Sequence, residues 1–110
     1  MSKTASTDHT LDDSHRLVLR DDLQRITGRI LTEVRITQTL YGGGIAYCAM
    51  ALDEQRREVP LPGIQRDVVD RVRRAFNRAD WSRAQDYNVT VGVLREHVVR
   101  RPACLRGDAP

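Results

Sequence analysis

The chain has 110 residues, 40% of them hydrophobic, which fits one small domain with a modest core and polar ends. Its formal charge of +3 is unevenly spread: residues 1–22 carry three basic and five acidic side chains, so the remainder holds +5. No apolar run approaches the roughly 18 residues of a membrane span, the polar start M-S-K-T-A-S-T-D-H-T has no apolar signal core, and two cysteines, Cys48 and Cys104, make no disulfide framework. A cytoplasmic protein without membrane contact is expected. Of the 18 basic residues, Lys3 is the only lysine. One reading of that bias is the codon habit of a GC-rich bacterial genome; the other, the bidentate reach of arginine for phosphate or carboxylate, is only a permissive argument.

Residues 1–14, rich in Ser, Thr and Asp, read as a disordered N-terminal tail. Residues 15–101 read as a single small domain, and 102–110 as a flexible C-terminal tail. Leu19, Leu23 and Ile26 have helical spacing over Arg16–Thr27, with Ser14 as a cap, Gly28 as a stop and Asp21 paired with Arg25. Residues 29–41 are crowded with β-branched side chains. Ile30, Thr32, Val34, Ile36 and Leu40 share one side of a period-two pattern, which predicts a half-buried strand. Gly42, Gly43 and Gly44 reverse the chain as a three-residue hairpin loop.

Residues 45–52, I-A-Y-C-A-M-A-L, form the returning strand. Successive side chains of a strand point to opposite faces, so eight residues without a charge make both faces apolar, and both need cover. A charged turn follows over 53–57, and Val59-Pro60-Leu61-Pro62 is extended because each proline excludes the helical region from the residue before it. The clearest helix spans 64–79, where Ile64, Val68, Val72, Ala75, Phe76 and Ala79 make one apolar stripe. Residues 87–99 alternate as a last strand, with Gly92 marking a bulge or a close approach. The predicted fold is therefore α+β: a small antiparallel sheet, hairpin 29–41/45–52 plus strand 87–99, packed by helix 64–79 and a short N-terminal helix. The rival is an all-α four-helix bundle, because Ala46–Leu52 and Tyr87–Val98 also suit helices.

No catalytic set, metal-ligand spacing or cofactor motif is visible, and neither enzyme chemistry nor a cofactor is expected. Three functions are compatible with the residues. The leading one is a small non-enzymatic binding or assembly protein that self-associates, as a homodimer, through Ile45, Tyr47, Cys48, Met50 and Trp81. Trp81 has a second reading as a lid over the end of the helix. The next is a binder of nucleic acid or an acidic protein, using a basic ridge of Arg66, Arg73, Arg74, Arg78, Arg100 and Arg101, with Arg95 as an extension. Against it, Asp67 can neutralise Arg71 and Asp70 can neutralise Arg74. The third is a small-molecule enzyme or carrier with a pocket near Tyr47, Cys48 and His97. A Cys48–His97 nucleophile pair requires their strands to be neighbours, and no third group is there to orient it.

Overall fold

The computed structural model describes residues 8–98. The chain order is β1 (His9–Thr10), α1 (Asp13–Thr27), β2 (Leu31–Tyr41), β3 (Gly44–Asp53), β4 (Glu58–Val59), α2 (Gln65–Ala75), β5 (Gln85–Asn88) and β6 (Val93–Glu96). All pairings are antiparallel and the sheet order is β1-β6-β5-β2-β3-β4. The fold is thus α+β, and the all-helical rival is excluded.

Local chemistry explains the start and stop of α1. The Asp12 carboxylate accepts the His15 N–H at 2.9 Å, which makes Asp12 the N-cap in place of the expected Ser14. That backbone hydrogen bond also holds the Asp12 carboxyl below the usual carboxylate range. Gly28, at φ 72°, ends the helix as its spacing foretold. Arg25 pairs with Asp22 rather than with Asp21.

The hairpin turns on two residues, not three. Tyr41 pairs with Gly44, and Gly42 and Gly43 lie at φ 59° and 80°, the pair of positive angles that a tight turn between right-twisted strands requires. A bulge between Leu31 and Glu33 shifts the alternation of β2. Leu31, Val34 and Ile36 are therefore buried, while Ile30, assigned to the same side from period two, is half exposed.

Register gives the sheet its two characters. Leu94, Tyr87, Val34, Ala51 and Val59 lie opposite one another across five strands, and each is at most 4% exposed. This row faces both helices and joins Leu19, Leu23, Val68, Val69 and Val72 in a single core. The adjoining row, Val93, Asn88, Glu33, Leu52 and Glu58, points to the other side. Among the described residues no helix covers that side.

Three further expectations are corrected. Residues 9–10, assigned to the tail, form β1, because β6 offers an edge to pair with. The strand expected over 87–99 is two strands. Asn88 Oδ1 accepts the N–H groups of Thr90 and Val91, and Gly92 at φ 75° completes the reversal, so the V-T-V-G alternation ends in a turn. The helix expected to reach Ala79 ends at Ala75, where Phe76 leaves helical geometry and its carbonyl accepts the Trp81 Nε1–H at 2.9 Å. Residues 1–7 of the predicted N-terminal tail, residue 99 and the predicted tail over 102–110 lie outside the described residues.

Candidate functional site

The β2–β3 hairpin is longer than its neighbours. β5 pairs with β2 only over Glu33–Ile36, and β4 pairs with β3 only at Ala51 and Leu52. The strands between them, eleven residues in β2 and ten in β3, therefore run on as a two-stranded arm from about Thr37 to Cys48. From Ile36 to Leu52 the chain has seventeen residues without one charged side chain, in a sequence that is 30% charged. At the end of the arm Leu40 and Tyr41 are each 80% exposed and Ile45 is 62% exposed. Sheet edges are ordinarily blunted by charge, proline or a covering element. On the β3 side Gln65 does part of this, its Oε1 accepting the Ala49 N–H at 3.1 Å. The β2 edge beyond Ile36 has no such cover among the described residues.

The five expected interface residues fall on different surfaces. Ile45 is at the arm tip. Tyr47 is on the helix side, with the Arg73 guanidinium stacked 4.0 Å above its ring. Cys48 and Met50 are on the opposite, open side, Cys48 exposed and Met50 half-buried opposite Arg35. Trp81 is a correction: it is buried, it closes the end of α2, and it lies 5.9 Å from the same guanidinium. The two-sided apolarity of 45–52 is thus half resolved by α2. The other half, Cys48, Met50 and Leu52, stays on the uncovered face.

The basic ridge is thinner than the sequence suggested. Arg66 and Arg74 are exposed on α2 and Arg78 in the turn after it, and among the described residues no carboxylate lies within ion-pair distance of them. Arg73 is half-buried in its stack on Tyr47. Arg71 bonds Asp22 of α1 at 3.0 Å instead of Asp67. Arg95 points to the open side of the sheet and pairs with Asp8 at 2.9 Å, so it does not extend the ridge. Arg100, Arg101 and Cys104 lie outside the described residues.

The third expected site does not assemble. Tyr47 and Cys48 project to opposite faces of β3, and β2 and β5 separate Cys48 from the strand that leads to His97. His97 has a different partner, which the sequence did not reveal. Its Nδ1 lies 2.7 Å from Asp86 Oδ2, while Asp86 Oδ1 accepts Arg35 Nε–H at 2.7 Å. Arg35 also reaches Glu33 at 3.7 Å, and Glu33 reaches Arg56 at 3.5 Å. This chain of alternating charges crosses the open face beside a cleft of about 370 Å³ lined by Glu33, Asp86, Asn88 and Arg95. Each carboxylate in it already has a basic partner, and among the described residues no Ser, Thr or Cys is bonded to the imidazole. Among the described residues no three His, Cys, Asp or Glu side chains converge on a metal position. The arrangement ties β6, β5 and β2 together.

Two more ionisable groups are held away from their ordinary ranges. Burial pushes the Tyr87 phenol up to about 12. The Asp53 carboxyl is lowered, first by the Arg57 N–H it accepts at 2.9 Å and also by the Gln55 N–H at 2.8 Å. Both are structural: Tyr87 packs its ring 5.2 Å from Phe76, and Asp53 organises the turn into β4.

Comparison with protein-family models, with curated proteins and with solved structures yields no match, so function is argued from this geometry alone. The signal for the arm is present in the sequence as the uncharged run 36–52, of which the apolar stretch 45–52 is only the second half.

Proposed function

We propose that this is a small non-enzymatic assembly protein that associates with itself through the β2–β3 arm. The observation that carries the reading is an uncharged arm whose tip holds Leu40, Tyr41 and Ile45 in solvent. Exposed apolar clusters of this kind mark interaction sites. Two chains of net charge +3 repel one another, and a contact made through an uncharged element adds nothing to that repulsion. Sedimentation equilibrium over a wide concentration range tests the reading. A reversible monomer–dimer equilibrium that tightens modestly as salt screens this repulsion is expected, and a strict monomer at millimolar concentration refutes it.

A second reading rests on Arg66, Arg74 and Arg78, exposed without a carboxylate partner among the described residues. It makes α2 a docking face for an acidic protein or nucleic acid. Titration with a labelled oligonucleotide at low salt should then show binding that weakens steeply with added salt, and no binding at low salt ends this reading.

A further inference from the structure

We propose that the arm tip of one copy seats in the groove between α1 and α2 of a second copy, reciprocally about a two-fold axis. The proposal rests on the self-association just described and specifies its seat. Apart from the scattered Ile30, Val91 and Val98, the exposed large apolar side chains fall in two places: the arm tip, and α1 at Leu17 and Val18. Val18, 61% exposed, borders a groove of about 250 Å³ floored by Leu11, Leu19 and Ala75. That volume is below the about 300–1,000 Å³ of pockets that enclose drug-sized ligands, and it suits side chains better than a cofactor.

Charge favours the same occupant. Asp22 on the groove wall is engaged by Arg71 and Arg25, so the wall holds no unmatched anion among the described residues. Arg74 on that wall has no carboxylate within ion-pair distance among the described residues. An aromatic ring entering the groove offers it a face, as Tyr47 offers one to Arg73 at 4.0 Å. Tyr41 is the exposed ring at the arm tip. A carboxylate partner would satisfy Arg74 but would have to shed its water against Leu11 and Leu19, at a cost.

Area favours reciprocity. Two of the three tip side chains are aliphatic and Ile45 is already partly covered, so at about 150 Å² each, the lower figure for a buried aromatic, the tip offers roughly 450 Å², short of the about 600–1,000 Å² per partner of a standard interface. Tip-to-tip contact is therefore too small. A two-fold exchange makes each copy contribute a tip and a groove, which doubles the contact without any new surface.

The test uses Tyr41→Ser, Val18→Glu, their equimolar mixture and the double variant on one chain, each followed by sedimentation equilibrium. Both positions are exposed, and circular dichroism confirms that the variants are folded. Each single variant should weaken dimerisation about 100-fold or more, since both contacts of its homodimer are damaged. The mixture should recover dimer, because the intact tip of Val18→Glu meets the intact groove of Tyr41→Ser. The double variant mixed with wild type should recover no intact contact, because the wild-type tip meets a damaged groove and the damaged tip meets the wild-type groove. If Tyr41→Ser weakens the dimer and Val18→Glu leaves it unchanged, the groove is wrong and the arm meets another surface. If both singles weaken it and the mixture recovers nothing, reciprocal seating is overturned. A monomeric wild type overturns the underlying self-association as well.

Discussion

Val34 and Leu40 lie on the same strand with the same parity, and they should respond in opposite ways to truncation. Val34 is fully buried in the centre of the helix-facing row, between Tyr87 and Ala51. Val34→Ala removes two methyl groups, about 1.6 kcal/mol of transfer free energy, and the cavity raises the loss to about 2–3 kcal/mol. For a domain of this size that lowers Tm by roughly 10–20 °C. Leu40 is 80% exposed, six residues further along. Leu40→Ser should leave monomer stability within about 0.5 kcal/mol. Its effect should fall on association: a dimer loses two buried leucines, at least about 3 kcal/mol, or roughly 100-fold in Kd. Thermal melts must be run well below the dimer Kd, because association itself stabilises the folded chain. Sedimentation equilibrium then gives Kd for both variants. The reasoning fails if Leu40→Ser destabilises the monomer by more than about 1 kcal/mol and leaves Kd untouched, since the arm would then be packed against its own domain.

Other outcomes follow from single contacts. Gly92 has φ 75° and an added Cβ would come within 2.8 Å of the Arg16 Cδ, so Gly92→Ala should cost about 1–2 kcal/mol in urea unfolding, mainly from the left-handed backbone because the arginine can swing away. Trp81→Phe removes one of the two donors to the Phe76 carbonyl, the Ala79 N–H at 3.1 Å remaining, and should cost about 0.5–1.5 kcal/mol by the same assay, with the end of α2 losing amide protection first. Asp53 has a lowered carboxyl pKa in the folded chain, so its contribution is full above the ordinary carboxylate range and is lost as pH falls through the lowered value. Asp53→Asn should therefore flatten the acid side of the stability profile, and an unchanged dependence of the urea midpoint on pH below about 5 would refute that role.

Much of the architecture was legible as local pattern. The β-branched density of 29–41, the glycines at the turn and the stripe of Val68 and Val72 each declare one element through forces acting within a few residues. The site was less legible, because it depends on what each element touches. From sequence Trp81 has two readings, an exposed anchor or the commoner lid, and the Phe76 carbonyl accepting its N–H decides for the lid. Arg73 reads as ridge until Tyr47 comes to lie under it. The Asp86–His97 contact joins residues eleven apart across a turn that the alternating sequence concealed.

The division follows the range of the forces. Residue order alone pointed to a glycine-turned hairpin, with a helix as its rival over 45–52, to an N-terminal helix stopped at Gly28 and to an amphipathic helix after Pro62, since steric limits on the backbone and side-chain periodicity act along the chain. Only packing decided that β5 would stop opposite Ile36 and β4 opposite Ala51, which strands the end of the hairpin in solvent. Whether a strand is sheltered depends on where its neighbours end, and those neighbours lie up to about fifty residues away in the chain.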